Sequence, residues 1–204
     1  WADVLYTEIC ASDEVPIFHV TGIEDGATIN WYDGRTGGYV NPADPQAYQN
    51  NAIKGKPGEY SMSVSQTTTG ENGCTSIPTS VIVKIHENPQ IAITNDDVHF
   101  CDYDDKVQIE VSSDSDNGTF TYSGDFVEDN YFYPANATTI GMAISVTVNY
   151  VDNETRCEAT TSADFFVHHA DKLAVVSPIT QLESDYETVL TATPDGANKV
   201  TWYD

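Results

Sequence analysis

The tripeptide Trp-Tyr-Asp occurs twice in this chain, at Trp31–Asp33 and again at Trp202–Asp204. Each copy follows a stretch of alternating polar and apolar residues, and each stretch follows an acidic glycine turn, at Asp25-Gly26 and at Asp195-Gly196. A strand-and-turn pattern that returns after a long interval is typical of an array of similar modules. Arrays of small β modules usually span distance or present surfaces, so the repeat bears on function as well as on fold.

The rest of the chain is also patterned for strands. Turn signals such as Asn-Gly and Pro-Gly separate short segments rich in β-branched residues, and no segment has a helical period long enough for a stable helix. We expect strands at Tyr60–Val64, Val81–Ile85, Val107–Val111 and Ile144–Tyr150. Short strands with frequent turns predict an all-β protein made of tandem Ig-like β-sandwich domains.

The module boundaries follow from the positions of the last apolar strands. We expect an Ig-like β-sandwich at residues 1–88, a second at 89–170, and the N-terminal part of a third, truncated Ig-like domain at 171–204. In the third, Gln181 stands near the place of Cys10. The linker Glu87–Gln90 is short and contains Pro89, which restricts the backbone. The sequence therefore predicts a semi-rigid rod with little bending between the first two modules.

Charge excludes several classes of partner. The chain of 204 residues carries 8 Lys and Arg against 32 Asp and Glu, for a formal net charge of −24. Phosphate binding needs basic residues, so nucleic acids and anionic membranes are not expected partners. No run of 18 apolar residues is present, so we expect no membrane insertion. With 40% hydrophobic residues, the chain has enough apolar material for folded cores.

Four cysteines are distributed two and two across the predicted boundary. None forms a Cys-x-x-Cys pair, which disfavours zinc and redox motifs. One disulfide per module is the simplest arrangement, and it predicts the bonds Cys10–Cys74 and Cys101–Cys157 in an oxidising, exported location. The alternative is four buried thiols in a cytosolic protein.

The motifs of the first two modules resemble a known family. The first module contains Thr28–Gly38, Gly58–Val64 and Asn72–Ser76, and the second contains Phe100–Cys101, Gly118–Gly124, Phe132–Pro134, Val146–Tyr150 and Arg156–Cys157. These segments resemble the Ig-like repeats of giant Bacteroidetes cell-surface adhesins, the SprB-like adhesins of gliding motility. The second module departs from the pattern at Thr155-Arg156, where a glycine commonly precedes the cysteine.

The resemblance implies export by type IX secretion and an extracellular location in association with the outer membrane. It also implies attachment to a surface polysaccharide or another extracellular surface, through this segment or through other regions of the adhesin. It predicts a repeat segment of a long secreted adhesin that acts as a stalk for surface attachment or gliding motility. The same repeats also occur as spacers in secreted enzymes. Two alternatives therefore stay open: an array of carbohydrate-binding modules, and spacer domains of a secreted enzyme.

Candidate binding residues come from acidic and aromatic clusters. A calcium site is the one cofactor site that we consider, because calcium binds six to eight oxygen ligands. Its candidate ligands are Glu87, Asn95, Asp96, Asp97, Asp114 and Asp116. Tyrosine rings can stack on sugars, and the candidate glycan contacts are Tyr122, Tyr131 and Tyr133. The chain has no nucleophile elbow, zinc-protease motif or phosphate-binding glycine loop, so we expect that it is not an enzyme.

Overall fold

The computed structural model describes residues 4–69 and 73–170, and its regular structure is almost entirely strands. The strands are Val4–Cys10 (β1), Phe18–His19 (β2), Thr28–Asp33 (β3), Tyr39–Val40 (β4), Ala47–Tyr48 (β5), Gly58–Thr67 (β6), Thr79–His86 (β7), Ile91–Ile93 (β8), His99–Cys101 (β9), Val107–Gln108 (β10), Val111–Ser113 (β11), Gly118–Ser123 (β12), Val127–Glu128 (β13), Tyr131–Phe132 (β14), Ala143–Asp152 (β15) and Glu158–His168 (β16). Two single-turn 3₁₀ helices lie at Asn51–Ile53 and Pro134–Asn136. Across this described part, no helix has the length and apolar character needed to cross a membrane.

Strands β1–β7 form the first sandwich. Its main sheet has the order β1-β7-β6-β3-β4, and a small second sheet pairs β2 with β5. β1 runs parallel to β7, whereas β7, β6, β3 and β4 pair antiparallel in sequence. In immunoglobulin lettering this is the order A′-G-F-C-C′, with strands B and E in the small sheet. The predicted Ig-like β-sandwich fold is therefore confirmed.

Two side chains of the first sandwich are hallmarks of this fold. Trp31 lies on strand C and is only 1% exposed; its indole nitrogen donates to the carbonyl of Pro45 over 2.9 Å. The hydroxyl of Tyr60, near the start of strand F, donates to the carbonyl of Lys56 over 3.1 Å, which is the geometry of a tyrosine corner. Trp31 is a core residue, as its alternation with Ile29 predicts. Trp202 lies outside the described residues.

The segment 33–38, which follows Trp31 in the repeated motif, forms the turn between β3 and β4. One carboxylate oxygen of Asp33 accepts hydrogen bonds from the backbone nitrogens of Arg35 and Thr36, at 2.9 and 2.8 Å. The hydrogen bond from Thr36, followed by that from Arg35, lowers the pKa of Asp33. A Cβ on Gly34 would lie 2.5 Å from the carbonyl oxygen of Ser61 on the neighbouring strand, so a side chain there clashes. The motif is a structural turn of strand C.

Strands β8–β16 repeat the same topology. Their main sheet has the order β12-β15-β16-β9, which matches β3-β6-β7-β1 of the first sandwich, and β9 again runs parallel to the last strand, β16. Smaller sheets are β10-β14-β13 and β8-β11. The predicted strand Val107–Val111 is interrupted, because the backbone nitrogen of Ile109 donates to Asn130 and that of Glu110 donates to the Asn95 side chain.

The described chain divides into two compact units by contact density. Unit 1 comprises residues 4–92 (without 70–72), 111–121 and 148–161, and unit 2 comprises 93–110, 122–147 and 162–170. The core of unit 1 surrounds Trp31, Met62 and Val83. In unit 2 the rings of Phe100, Phe132 and Phe165 pack with centroids 5.2–5.7 Å apart. The boundary between residues 88 and 89 stays a prediction, and the expected third domain at 171–204 lies outside the described residues.

Candidate functional site

A disulfide joins Cys10 to Cys157 across a sequence separation of 147 residues. Cys10 ends β1 and Cys157 immediately precedes β16, and both residues belong to unit 1. Their Cα atoms are 5.5 Å apart, and the residues are 8% and 0% exposed. The bond therefore joins the end of β1, in the first sandwich, to the turn that precedes β16.

This connectivity corrects the predicted pairs Cys10–Cys74 and Cys101–Cys157, which are wrong. The parallel register of β1 with β7 places Cys10 beside His86, at the end of β7, whereas Cys74 precedes the start of β7 at Thr79. The seven steps from Thr79 to His86 span about 23 Å of extended chain. A disulfide needs Cα atoms within about 7 Å, so a bond between Cys10 and Cys74 has no geometric basis.

We call residues 8–13 and 86–88 the Cys10 corner. There Cys10 pairs with His86 in the strand register, and the backbone nitrogen of Ala11 donates to the carbonyl of His86 over 2.9 Å. The backbone nitrogen of Cys10 donates to the carboxylate of Asp13 over 2.9 Å, and the nitrogen of Asp13 donates back to the Cys10 carbonyl over 3.0 Å. This closed turn fixes the backbone from which the sulfur projects.

Asn88 completes the Cys10 corner by bridging two segments of unit 1. Its amide nitrogen donates to the hydroxyl of Ser12 over 2.8 Å and to the carbonyl of Glu158 over 3.2 Å, and its oxygen accepts from the Ser12 backbone over 2.8 Å. Glu158 directly follows the bonded Cys157. The disulfide is therefore accompanied by a polar contact that joins the same two segments.

The turn that carries Cys157 is organised by Asp152. One carboxylate oxygen accepts from the backbone nitrogens of Glu154 and Thr155, and the other accepts from the hydroxyl of Ser115 over 2.9 Å. The bond from the Thr155 backbone, followed by that from Ser115, lowers the pKa of Asp152. The backbone nitrogen of Asp152 donates to the carbonyl of Cys157 over 3.0 Å, which holds the cysteine at the end of the turn.

A small cleft of about 180 Å³ lies beside these contacts and contains two of the candidate calcium ligands, Glu87 and Asp114. The carboxylate of Asp114 already accepts from the Gln90 backbone over 2.9 Å. In unit 2, both amide atoms of Asn95 are engaged by the backbone of residues 108 and 110, and Asp97 accepts from the backbone of residue 99. No group of three His, Cys, Asp or Glu within 4–69 and 73–170 is arranged to hold a metal ion, and Asp96 and Asp116 are exposed. The calcium site stays a prediction.

The candidate glycan residues Tyr122, Tyr131 and Tyr133 all lie in unit 2 and are half-buried. The ammonium nitrogen of Lys106 lies 4.1 Å from the ring centroid of Tyr131, so a cation covers one face of that ring. Burial raises the pKa of Tyr122, as expected for a hydroxyl withdrawn from water. A glycan contact at these residues stays a prediction.

The sheet β12-β15-β16-β9 has a corresponding corner around Cys101. We call residues 99–104 and 168–170 the Cys101 corner. Cys101 ends β9 and pairs with His168, and the backbone nitrogen of Asp102 donates to the His168 carbonyl over 2.9 Å. The backbone nitrogen of Cys101 donates to the carboxylate of Asp104 over 2.7 Å, and the Asp104 nitrogen donates to the Cys101 carbonyl over 3.0 Å. Cys101 is half-buried and remains a thiol.

No protein-family model matches this chain, and no curated protein sequence matches it. Solved structures that resemble it include Drosophila N-cadherin EC1-3 (11% identity, TM-score 0.32, 81% of this chain and 65% of that chain), the fibronectin(III)-like modules of Clostridium thermocellum CbhA (14%, 0.36, 81% and 91%) and Sidekick-1 immunoglobulin domains 1-4 (11%, 0.38, 82% and 47%). The chain thus spans less than two thirds of the cadherin and Sidekick-1 fragments. The strand order of the main sheets and the buried Trp31 identify the fold as Ig-like.

Proposed function

We propose that this chain is a load-bearing repeat segment of a long secreted cell-surface adhesin, where it acts as a stalk. The observation that carries the proposal is the Cys10–Cys157 disulfide. A bond that only stabilised one sandwich could close within that sandwich. This bond instead connects the end of β1, in the first sandwich, with the turn that precedes β16.

The position of the bond determines how tension passes through the chain. A pull applied at the two ends travels along β1 to Cys10, crosses the disulfide to Cys157, and leaves along β16. The residues between the two cysteines carry no load in series with this path. While the bond is intact they can lose their folded structure, but they cannot lengthen the chain.

The proposed setting is extracellular and associated with the bacterial outer membrane, after export by type IX secretion. Disulfides persist in oxidising, exported environments, which supports an extracellular place. A net charge of −24 keeps neighbouring copies soluble and mutually repelling. The motif around Trp31 resembles the Ig-like repeats of gliding-motility adhesins, and a role in gliding or surface attachment follows from that resemblance alone.

The proposed partner of the whole adhesin is a surface polysaccharide. Contact would occur through Tyr122, Tyr131 and Tyr133 or through parts of the parent protein beyond this sequence. A glycan array probed with the wild-type chain tests the first route. Binding that is lost in Tyr131→Ala supports a direct contact, and an array without any bound glycan assigns the contact elsewhere in the adhesin.

Single-molecule force spectroscopy tests the load-bearing role. The chain is placed between reference domains and stretched from its two ends, with and without a reducing agent. Reduction is expected to add about 510 Å of contour length, since the 147-residue separation contributes about 3.5 Å per residue when extended.

Two variants complete the force experiment. Cys10→Ser should give the long extension without any reductant, whereas the matched variant Cys101→Ser should behave as the oxidised wild type. An oxidised wild-type chain that extends as far as the reduced one contradicts the proposal, because the disulfide would then not carry the load.

A further inference from the structure

Two imidazole rings lie side by side at the exposed surface of the sheet β12-β15-β16-β9. His99, at the start of the edge strand β9, pairs with Phe166 on β16, and His168 lies two residues beyond Phe166. Nδ1 of His99 and Nε2 of His168 are 3.0 Å apart, and both residues are exposed. The His99 ring also stacks on the Phe166 ring with centroids 4.9 Å apart. Dissolved ions can therefore reach a pair of ring nitrogens whose spacing is set by strand pairing and stacking.

The corresponding positions of the first sandwich carry an acid–base pair instead. Glu8 and His99 each stand two residues before the cysteine of their corner, and His86 and His168 each pair with that cysteine in the strand register. Oε2 of Glu8 lies 2.6 Å from Nε2 of His86, so this histidine has a carboxylate partner. The same strand geometry thus places two imidazoles in the second sheet where the first has an imidazole and a carboxylate.

We propose that His99 and His168 form a cross-strand binding site for a divalent transition-metal ion, of which Ni²⁺ and Cu²⁺ fit best. Neutral imidazole is the commonest metal ligand among side chains. Two nitrogens bonded to one ion at about 2.0–2.1 Å and at right angles stand about 2.9 Å apart, close to the 3.0 Å between these two. Tetrahedral Zn²⁺ needs about 3.3 Å at the same bond length. Tetragonal nitrogen and oxygen ligation is typical of Cu²⁺ and Ni²⁺.

Binding requires both nitrogens to offer a lone pair to the ion. In the hydrogen-bonded pair one of them carries a proton, and that ring moves the proton to its other nitrogen when the ion binds, so both rings stay neutral. Two ring nitrogens leave the remaining coordination positions to water, so the ion is exchangeable, unlike the fully ligated ion of a structural site. A bound ion connects β9 to β16 and thereby holds the first strand of this sheet to its last.

Calorimetric titration of the whole chain with Ni²⁺ tests the site. An excess of Mg²⁺ is present to occupy carboxylates, because Mg²⁺ prefers oxygen ligands to imidazole. His168→Gln removes one ligand, and His99→Phe removes the other while it keeps an aromatic ring on Phe166. Each variant should bind Ni²⁺ about 100-fold more weakly than the wild type, because the second nitrogen no longer binds the same ion intramolecularly.

Two matched controls, His169→Gln and Cys101→Ser, should bind Ni²⁺ as the wild type does, because both side chains are engaged within the Cys101 corner. The rise in melting temperature on adding Ni²⁺ should persist in both controls and vanish in both site variants, and the transition without metal shows that each variant is folded. A control that loses as much affinity as His168→Gln would overturn the proposal, and so would wild-type binding no tighter than that of His99→Phe.

Discussion

Cys10 and Cys101 each end the first paired strand of a main sheet, and each pairs with a histidine at the end of the last strand. Of these two cysteines, Cys10 is disulfide-bonded and Cys101 is a thiol. Two residues after Cys10, Ser12 is held by Asn88, which also reaches the Glu158 carbonyl. Strand pairing therefore forms both corners, whereas the chain segment that lies beside the cysteine determines whether its thiol is oxidised.

The Cys101 corner closes on itself instead. Two residues after Cys101 stands Tyr103, and its hydrogen bond with Cys101 raises the pKa of Tyr103. The carboxylate of Asp102 accepts from the backbone of Ala170 over 3.2 Å and contacts the ring nitrogen of His169 at 2.6 Å. The corner thus has the same backbone as its counterpart, but its neighbouring side chains come from unit 2 itself.

The largest expected effect comes from removing the bonded cysteine. Cys10→Ser should lower the free energy of unfolding of unit 1 by about 5 kcal/mol, because a loop of 147 residues is no longer closed in the unfolded chain. The matched change Cys101→Ser should leave it within about 0.5 kcal/mol. Denaturant unfolding without reductant measures both. Equal losses in the two variants would break the comparison.

The second effect concerns the polar bridge beside the disulfide. Asn88→Ala removes three hydrogen bonds, including the one to Glu158, and should destabilise unit 1 by about 1–3 kcal/mol. Asn51→Ala is the control, because the side chain of Asn51 makes one long, exposed bond to Gln49. Thermal unfolding that cannot separate the two variants would show that Asn88 adds nothing to the crosslink.

The third effect sharpens the contrast at the unbonded corner. Tyr103→Ser places at Cys101 the residue type found beside Cys10, and it should speed disulfide formation by Cys101 about threefold through greater exposure. Tyr103→Phe keeps the ring and should remain slow. The readout is the rate at which Cys101 forms a mixed disulfide with oxidised glutathione, measured in a chain that also carries Cys74→Ser. Similar rates for serine and phenylalanine would mean that the ring does not cover the thiol.

The smallest effect is electrostatic and occurs at both corners. The hydrogen bond from His86 lowers the pKa of Glu8, and that from His169 lowers the pKa of Asp102. Carboxylates with a lowered folded-state pKa stabilise above the unfolded value of about 4 and lose that contribution as the pH falls through the folded value. Glu8→Gln and Asp102→Asn should therefore each flatten the decline in melting temperature between pH 5 and 3. If the melting temperature of either variant falls with pH as steeply as that of the wild type, its carboxylate–histidine pair does not contribute to the pH dependence.

Sequence patterning was sufficient for the fold and insufficient for the crosslink. Alternation identified Trp31 as a core residue and located the strands around Val64, Val83 and Tyr150. It failed at Val107–Val111, because a backbone bond from Ile109 and a side-chain contact from Asn95 interrupt a segment whose composition is entirely strand-like.

The predicted disulfide pairs were wrong because they assumed that each bond forms within one module. Four cysteines allow three pairings, and spacing alone cannot choose among them. The sequence did contain a usable signal: Cys10 ends the first strand, whereas Cys74 precedes the last one. In an Ig-like sheet these strands run parallel, so the two cysteines lie at opposite ends of the sheet. Applying that topology to the cysteine positions would have excluded the predicted pairs.

One covalent bond joins the end of β1, in the first sandwich, to the turn that precedes β16. Non-reducing peptide mapping after digestion at low pH, where disulfides do not exchange, tests it most directly. The account predicts a peptide pair that contains Cys10 and Cys157. A pair that joins Cys10 to Cys74, or Cys101 to Cys157, would contradict it and return each disulfide to a single module.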